Sequence, residues 1–569
     1  MPQQSAPKSV VEALNLHAPQ RHRGFTFVGD DRSETFVSFA ELRELVARAA
    51  SALVARGIGR DDLVALIVPD AREFVTSFLA AVWAGAIPVP LYPPVGLGKQ
   101  DAYLDYIGGL LESASVTRLI APQWVDQALG LSQRFAGQLT AVAHADALDA
   151  EELLEPAARR PDHTLFLQFT SGSTGKPKAV VVTDASLWVN TESFVSTLGC
   201  NEVDHIVSWL PLYHDMGLIG KMLAPLLFSL NATFLPTLAF LRDPSIWLDT
   251  ISRQRGSMSF APNFAYALAT KKATPPEGGW DLSSMRVFGC AAEPIHPDTL
   301  DAFIEKFAAH GLPPESVVPG YGMAEATLGI TLDRLDRPFH RLEVAAEAYH
   351  GTGAVRPPAT GEEALTFVSC GRVFADGHAV RITDEKGREV PAGRVGDVQF
   401  RGPSLAAGYY RNEEATASAF LPDGWLATGD RGFIVDGDLY ITGRKKDILI
   451  VNGRNYDPQH VEWAAADVPG IRKGNVVAFA VPGEDTEQII VVAERNAARD
   501  DHDQLVRRAV WKRTRLTVAD AVLLEPGQLP KTSSGKVQRS RTRDLYLSGD
   551  LVSGTVATRT HAHADPASV

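Results

Sequence analysis

One segment of the chain combines glycines, small hydroxyl side chains and a lysine, a set of groups that suits a polyphosphate. An apolar run at 165–169 leads into this segment, and a second apolar run at 179–182 follows it. Glycines let backbone N–H groups approach phosphate oxygens, hydroxyls add hydrogen-bond donors, and the lysine adds a positive charge. We therefore predict a phosphate-binding loop made of Thr170, Ser171, Gly172, Ser173, Thr174, Gly175 and Lys178.

The spacing within this loop differs from the Walker pattern GxxxxGK[ST]. Only two residues separate Gly172 from Gly175, and Pro177 follows Lys176. A solvated turn is the alternative interpretation of the segment taken alone.

Four other residues could do chemistry, and each of them alone also admits a structural role. Glu325 lies in a small, apolar stretch, where a carboxylate is costly without a partner. Asp430 and Lys536 each follow a glycine, where Asp is usually a turn residue and Lys a solvated charge. An isolated histidine such as His214 is more often a satisfied core residue. Their order along the chain is therefore more informative than any one of them.

Five motifs occur in the order found in the adenylate-forming superfamily, which the chain resembles from about residue 25 to about residue 545. The first is the phosphate-binding loop, and the others are 320–327 (GYGMAEAT), 425–430 (WLATGD), 443–447 (GRKKD) and 529–536 (LPKTSSGK). The superfamily comprises acyl-CoA ligases, adenylation domains of nonribosomal peptide synthetases and firefly-type luciferases. The resemblance implies a ligase that uses ATP to activate a carboxylic acid.

The resemblance also implies roles for single residues in a reaction between a carboxylate and the α-phosphate of ATP. Glu325 is expected to bind Mg²⁺ together with Thr174, because hard oxygen ligands suit that ion. Asp430 is expected to accept hydrogen bonds from the ribose hydroxyls, and Arg444 to contact the ribose or a phosphate. Lys536 is expected to bridge the substrate carboxylate and the α-phosphate in the transition state. Further nucleotide contacts are expected from Ala292, Glu293, Pro294, Gly320, Tyr321, Gly322, Met323 and Ala324.

Residues 208–220 (SWLPLYHDMGLIG) closely resemble the corresponding element of fatty acyl-AMP ligases, the branch that supplies acyl groups to polyketide and peptide synthases. This resemblance places His214 among the catalytic residues, at the border of the acyl entrance. Segment 334–363 is interpreted as an insertion, after which 364–371 returns to the common fold. In that branch a comparable insertion hinders the arrangement that uses free CoA. The partners implied are therefore a fatty acid and an acyl carrier protein.

Two segments depart from the pattern of this branch. Residues 456–462 read YDPQHVE where the branch usually has HYPxDIE, so contacts between the domains are expected to differ. Residues 290–294 read CAAEP where it usually has NGAEP, so Ala291 adds a methyl group against the nucleotide site. We expect this methyl group to be tolerated at some cost in nucleotide affinity.

The elements that position these motifs have the pattern of an α/β protein. Helical periodicity marks 38–56, with Leu42, Val46 and Leu53 on one face, and Gly57 stops it. Short β-rich runs at 64–68, 165–169, 179–182 and 287–290 predict largely parallel sheets covered by helices. The apolar stretch 74–93 is interpreted as a buried helix followed by an extended segment, because Gly85 and several prolines interrupt it. No integral membrane segment is therefore predicted.

Closely spaced charges near residue 440 predict a domain boundary. We expect a large N-terminal domain at 1–445, a small mobile α+β domain at 446–548 and a disordered tail at 549–569. In relatives the small domain rotates about a hinge, which the resemblance assigns to Lys446. A basic run in this domain could meet an acidic carrier protein, although such a run is more often a solvated face. The run comprises Lys531, Lys536, Arg539, Arg541 and Arg543.

Composition narrows the class of function. Of 569 residues 45% are hydrophobic and 22% are charged, as in ordinary globular proteins. The 55 Lys and Arg against 68 Asp and Glu give a net charge of −13, which argues against a general nucleic-acid binder. Three widely spaced cysteines suggest neither a disulfide framework nor a thiolate zinc site, and they fit a reducing cytoplasm.

Other functions stay open at this point. An acyl-CoA ligase would differ only in the thiol that accepts the acyl group, and a non-catalytic acyl or nucleotide sensor would keep the fold alone. A luciferase-like oxygenase has only the shared superfamily motifs in its favour. The sequence does not reveal the chain length of the acid, the carrier or the oligomeric state, because a pocket is lined by residues scattered along the chain.

Overall fold

The computed structural model describes residues 9–94, 100–170, 177–374, 377–451, 454–483, 487–496, 501–531 and 536–551. The chain divides into two compact units, Met1–Thr442 and Gly443–Val569. Gly549 ends the last described helix, and Leu551 is buried against it, so folded structure continues past residue 548. In the described part of the chain, no helix is both long and apolar enough to cross a membrane.

The strands of the described residues, in chain order, are as follows. They are β1 (Gly24–Val28), β2 (Glu34–Ser38), β3 (Leu63–Leu66), β4 (Ile87–Pro90), β5 (Arg118–Ala121), β6 (Ala141–His144), β7 (Thr164–Thr170), β8 (Lys178–Thr183), β9 (His205–Ser208), β10 (Asn231–Phe234), β11 (Met258–Ala261), β12 (Val287–Cys290), β13 (Val317–Gly322), β14 (Gly329–Leu332), β15 (Arg341–Ala345), β16 (Ala364–Val368), β17 (Arg372–Val373), β18 (Ala379–Thr383), β19 (Gly396–Arg401), β20 (Leu426–Val435), β21 (Asp438–Arg444), β22 (Leu449–Val451), β23 (Arg454–Tyr456), β24 (Ile471–Val481), β25 (Gln488–Arg495) and β26 (Val518–Leu524).

The helices follow the same order. They are α1 (Val10–His17), α2 (Phe39–Ala55), α3 (Ala71–Trp83), α4 (Gln100–Ser113), α5 (Gln123–Leu129), α6 (Leu131–Arg134), α7 (Asp184–Thr197), α8 (Asp215–Gly217), α9 (Ala224–Leu227), α10 (Thr237–Arg242), α11 (Ser245–Gln254), α12 (Asn263–Lys272), α13 (Pro297–Ala308), α14 (Ala346–Thr352), α15 (Glu413–Ala419), α16 (Pro458–Ala466), α17 (His502–Thr514) and α18 (Arg539–Ser548). A π-helical segment, Leu218–Leu223, joins α8 to α9.

Local sequence signals set the ends of the early elements. Ser38 and Glu41 form a capping box at the start of α2, and Gly57 takes a φ of +76° just past its end. The apolar stretch that follows is the buried helix α3 and then the short strand β4, so its interpretation as core is confirmed. Such caps act within one turn, which is why they can be read from the sequence.

The largest sheet of the first unit has the order β17-β14-β13-β12-β11-β9-β10-β1-β2. Its middle strands, from β13 to β1, are all parallel. Helices such as α7, α11, α12 and α13 contribute buried residues to the core that includes this sheet. A second parallel sheet has the order β4-β3-β5-β6, so the predicted α/β class with parallel-rich sheets is confirmed. Parallel strands end at a common edge, where ligands usually bind.

The predicted insertion at 334–363 is folded in the structure. It contains β15 and α14, and β15 pairs with β16 in an antiparallel hairpin. Val344 and Tyr349 share a small core with Phe433 and Tyr440 of β20 and β21. The His340 ring also lies within hydrogen-bond distance of the Tyr440 hydroxyl, with Nδ1 and Oη 2.9 Å apart. The segment is thus anchored on the first unit.

The second unit is a small α+β domain built on the sheet β24-β25-β26. One face of the sheet packs on α16 and α17, and the other packs on α18 and Leu551. Arg539 of α18 joins its elements, because it forms ion pairs with Asp447 at 2.7 Å and Glu462 at 2.5 Å. Its Nε also donates to the carbonyl of Ala478 at 2.8 Å.

Replacing Arg539 by methionine is expected to lower the free energy of unfolding of the second unit by about 3 kcal/mol. The side chain is only 22% exposed, so its removal leaves two carboxylates mostly buried and unpaired. Urea denaturation of the full chain, followed by fluorescence, measures the loss. The exposed Arg541, two residues further, is the matched control, and Arg541→Met should change stability by less than about 0.5 kcal/mol. Equal losses in both variants would contradict the structural role of Arg539.

Candidate active site

The loop after β13 carries Glu325, and several backbone contacts fix its shape. Glu325 lies in a 3₁₀ turn, Ala324–Ala326, and its backbone carbonyl accepts from the N–H of Ala406 at 2.9 Å. Thr327 follows with φ +72° and ψ −55°, which is the strained hand of the γ-turn. Its hydroxyl donates to the carbonyl of Ser404 at 2.7 Å, which helps to hold this costly conformation.

Helix α7 fixes the same loop from its other side through Asn190. The buried Asn190 amide donates to the carbonyls of Ala326 at 3.1 Å and Gly329 at 2.9 Å. Its oxygen accepts from the N–H of Gly329 at 3.2 Å. The chain's own hydrogen bonds therefore hold the loop in place, as precise placement of a charged group requires.

Tyr409 connects two of the charged residues predicted from the sequence. Its hydroxyl donates to Glu325 Oε1 at 2.7 Å, and Lys178 Nζ lies 4.7 Å from the centroid of its ring. Glu325 is 8% exposed, so this hydrogen bond fixes a carboxylate that is largely buried from water. The arrangement puts a cation from the predicted phosphate-binding loop near the predicted metal ligand.

Asp430 is linked to the motif at 320–327 by a short hydrogen bond. The Tyr321 hydroxyl donates to Asp430 Oδ2 at 2.6 Å, and Asp430 itself is 5% exposed. The N–H of Asp430 donates to the Thr428 hydroxyl at 3.1 Å, and that hydroxyl donates to the carbonyl of Val398 at 2.7 Å. Motifs more than a hundred residues apart in the chain therefore meet at one place.

Glycines of the motif at 320–327 allow neighbouring backbone to pass close by. A Cβ on Gly322 would lie 2.0 Å from the carbonyl oxygen of Leu328, and one on Gly320 would lie 3.1 Å from that of Thr331. Met323 then donates its N–H to Leu328 at 2.8 Å. Any other residue at 322 would push the loop away from β14.

The loop after the neighbouring strand β12 carries the segment predicted to contact adenine. Cys290 pairs with Pro319 of β13, so both loops leave the same edge of the sheet. Ala292 has a φ of +75°, a conformation that costs an L-residue about 1 kcal/mol. Glu293 accepts from the N–H of Phe264 at 2.6 Å, and Pro294 follows it directly. The carboxylate of Glu293 thus ties this loop to the start of α12.

Thr170 and Lys178, the first and last residues of the predicted phosphate-binding loop, belong to the antiparallel strands β7 and β8. Thr170 donates its hydroxyl to the carbonyl of Lys178 across the hairpin at 3.5 Å. The predicted residues Ser171, Gly172, Ser173, Thr174 and Gly175 lie outside the described residues.

His214 lies in the segment after β9 and caps the short helix α8. Its Nδ1 is 2.6 Å from Asp215 Oδ1 and accepts from the N–H of Met216 at 3.4 Å. Gln168 of β7 donates to the carbonyl of Tyr213 at 3.0 Å. This contact connects the His214 segment to the strand that leads into the phosphate-binding loop.

The remaining predicted residues belong to the second unit. Arg444 precedes a 3₁₀ turn, Lys445–Asp447, and is exposed. Lys446 lies within that turn with an exposed side chain, and partial desolvation lowers its pKa. Lys536 is half-buried and lies next to Val537, which forms a β-bridge with Lys531. The proposed roles of these residues therefore rest on their motifs rather than on contacts with the first unit.

The Mg²⁺ ion implied by the family resemblance fits the groups present in the first unit. Within the described ranges no cluster of three or more His, Cys, Asp or Glu forms a complete metal site. Mg²⁺ is usually bound by one or two carboxylates plus substrate phosphates. Glu325 would supply the carboxylate, and Lys178, which lies over the ring of the same Tyr409, would supply positive charge to the phosphates. Such an ion would neutralise phosphate charge.

Two residues of the site escaped the sequence analysis. Tyr409 and Asn190 lie far from Glu325 in the chain, and neither belongs to a motif that suggests chemistry. The apolar and glycine-rich run before Tyr409 predicts only a turn. Their importance follows from tertiary contacts alone.

A comparison with protein families matches residues 16–410 to the family described as AMP-binding enzyme. A Caulobacter vibrioides protein named as an acyl-CoA synthetase is 36% identical over 525 residues, which is 90% of each chain. The long-chain-fatty-acid–AMP ligase FadD32 of Mycolicibacterium smegmatis is 32% identical and aligns over 93% of this chain and 91% of its own. A solved structure of a fatty acyl-adenylate ligase, from work on the E. coli and L. pneumophila enzymes, has a TM-score of 0.89 at 31% identity. That match covers 95% of this chain and 98% of the other.

Proposed function

Because the chain belongs to the AMP-binding enzymes and, among them, to the fatty acyl-AMP ligases, we propose that it activates a fatty acid with ATP and passes the acyl group to an acyl carrier protein. The observation that carries this proposal is the meeting of Glu325, Lys178, Tyr321 and Asp430 around the loop after β13. Those residue types are the ones that a triphosphate and a ribose need.

In the first step a carboxylate oxygen of the fatty acid bonds to the α-phosphorus of ATP, and the bond to pyrophosphate breaks. Both reactants are anions, so catalysis consists mainly of positioning them and neutralising their charge. Lys178 contributes positive charge at the phosphate-binding loop, and Asp430 orients the ribose. Lys536 is assigned the charge that develops between the carboxylate and the α-phosphate.

In the second step the thiol sulfur of the carrier's phosphopantetheine attacks the carbonyl carbon of the acyl-adenylate. The bond to the AMP oxygen breaks, a thioester forms, and the thiol proton passes to solvent. We assign Lys446 to the hinge that separates the two steps. A cytoplasmic location suits both steps, and the three free cysteines fit a reducing compartment.

The anchored insertion supports a carrier protein, rather than CoA, as the acceptor. Arg337 pairs with the buried Asp438 at 3.0 Å, and the hairpin of β15 and β16 shares a core with β20 and β21. An insertion held in this way is costly to displace. The rival acceptor is CoA, which the name of the Caulobacter relative favours.

The test supplies the purified protein with ATP, Mg²⁺, a fatty acid and either CoA or a carrier protein that bears phosphopantetheine. Acid-dependent exchange of pyrophosphate into ATP measures the first step, and mass spectrometry of the thioester measures the second. We expect transfer to the carrier to exceed transfer to CoA by at least about tenfold in kcat/KM. A carrier without phosphopantetheine is the control and should accept nothing.

Three outcomes would contradict parts of the proposal. Faster transfer to CoA than to the carrier would make the protein an acyl-CoA ligase. Exchange without any transfer would limit the function to adenylation. The lack of exchange with every fatty acid, together with nucleotide binding, would favour a non-catalytic sensor.

A further inference from the structure

Lys221 is a lysine buried in the first unit, and none of the described residues pairs with it as an opposite charge. Its side chain is among the largest fully buried ones, and the residue is 2% exposed. Its Nζ lies 3.8 Å from the ring centroid of Phe260 and 5.6 Å from that of Phe194. Within the described part of the chain, it forms neither a hydrogen bond nor an ion pair.

Among the described residues, the one titratable group that interacts with Lys221 is Cys200, and it does not supply a negative charge at neutral pH. Burial lowers the pKa of Lys221 to about 7, and the Cys200 thiolate would only partly offset this effect. Burial raises the pKa of Cys200 to about 12, so Cys200 stays a neutral thiol. Burying a lysine in such surroundings costs free energy, because its amine loses hydrogen bonds to water and gains only contacts with the faces of aromatic rings.

The position of Lys221 ties it to the loop that carries Glu325. Its neighbour Gly220 lies against Leu328, since a Cβ on that glycine would be 3.3 Å from Leu328 Cδ2. Phe194 is one helical turn from Asn190, whose amide holds the same loop. Lys221 therefore lies close to residues that hold the Glu325 loop.

The sheet gives a second indication of position. Phe260 is the penultimate residue of β11, and Gly289 is the penultimate residue of β12. The Phe260 ring covers Gly289. The Lys221 head thus lies at the carboxyl edge of the parallel strands, where ligands bind in such sheets. It also follows His214 by seven residues along one helical element, a rise of roughly 10 Å.

The helix itself is irregular at this point. Lys221 is in the π-helical segment between α8 and α9, and π-helical turns occur frequently at functional sites. An irregular turn here places a buried amine, with which no described residue pairs, at a ligand-binding edge. A purely structural role for such an amine would be costly.

We propose that Lys221 is a specificity-determining residue that binds a second carboxylate at the far end of the acyl substrate, so that the preferred acid is a dicarboxylic acid of medium length. The inference rests on the proposed function, because it assumes that the acyl chain extends from the reacting carboxyl group past His214. A distal carboxylate supplies the partner that none of the described residues provides. An unsubstituted alkyl end leaves the amine buried and unpaired.

The test compares matched pairs of acids in the pyrophosphate exchange assay. Octanoic acid is compared with octanedioic acid, decanoic with decanedioic, and dodecanoic with dodecanedioic acid. We expect kcat/KM for the best diacid to exceed that of its partner by at least about tenfold, because a buried polar group rejects a substrate that cannot bond to it. The Lys221→Met variant should reverse this preference.

A second variant and a control keep the result interpretable. Lys221→Gln keeps a hydrogen-bond donor without the charge, so this variant should accept both kinds of acid. In a separate measurement, the best diacid should raise the melting temperature of the unaltered protein but not that of Lys221→Met. Lys306 is the matched control, because its Nζ already donates to the carbonyls of Thr270 at 2.7 Å and Ala273 at 2.8 Å. Lys306→Met should leave the preference unchanged.

The inference and the proposed function fail in different ways. Exchange with monoacids alone, or a preference that Lys221→Met leaves unchanged, would overturn the role of Lys221 and keep the adenylation reaction. The lack of exchange with every acid, in a protein that melts cooperatively, would overturn both.

Discussion

The Lys536→Met variant is expected to form acyl-adenylate about a thousandfold more slowly than the unaltered protein. Methionine keeps the length and bulk of the side chain and removes only its charge. The carboxylate and the α-phosphate repel each other as they approach, so the loss of that charge acts on the transition state more than on ground-state binding. The expected signature is therefore a fall in kcat of pyrophosphate exchange with little change in the KM for ATP.

The control for this variant lies in the same segment. Lys531 is exposed and bonds to Asn475 within the second unit, so Lys531→Met removes an equal charge without a proposed catalytic role. It should keep adenylation within about a factor of two of the unaltered protein. Lys536→Met should also still transfer the acyl group when it is given preformed acyl-adenylate, because that step starts from a mixed anhydride. Full-speed adenylation by Lys536→Met would contradict the mechanism.

Elements with strong local signals were predictable from the sequence. The helix expected at 38–56 is α2 with its capping box, and the run at 287–290 is β12 to the residue. The patterns that define these elements span a few residues, and the structure satisfies them with local hydrogen bonds. The parallel sheets followed from the alternation of such elements.

Contacts between distant parts of the chain were not predictable in the same way. Glu325 and Asp430 were found because motifs mark them, whereas Tyr409 and Asn190 show no pattern that distinguishes them from ordinary core residues. Lys221 is similar, because it follows an apolar motif and reads as one polar residue in a helix. Only tertiary packing reveals that its amine has no partner among the residues that the structure describes.

For the insertion, the sequence patterns predicted the place of the segment in the chain but not its folded structure. Segment 334–363 was recognised by its place between two motifs, but its hairpin joins it to β16, which lies outside the segment. Its anchors, such as Tyr440 and Asp438, are about a hundred residues further along the chain. The pairing partner of β15 and a buried ion pair between such distant residues both depend on how the whole unit folds.

The Glu325→Gln variant is expected to lose adenylation activity by a factor of about a hundred or more and to need much higher Mg²⁺ concentrations. Glutamine keeps the size of the side chain and an oxygen that accepts from the Tyr409 hydroxyl, so the loop should keep its shape. What it removes is the negative charge that suits a hard cation beside the phosphates. Pyrophosphate exchange measured over a range of Mg²⁺ concentrations checks the effect.

Tyr409→Phe is the matched control for Glu325, because it keeps the carboxylate and removes only the hydroxyl that orients it. We expect Tyr409→Phe to lower adenylation activity about tenfold, in line with the effect of removing a group that supports a metal ligand. The ring that faces Lys178 is kept, so the position of that lysine should not change. A Glu325→Gln variant with an unchanged Mg²⁺ requirement would contradict the assignment of Glu325 as a metal ligand. If Tyr409→Phe lost as much adenylation activity as Glu325→Gln, the Tyr409 hydroxyl would have to contact the nucleotide directly.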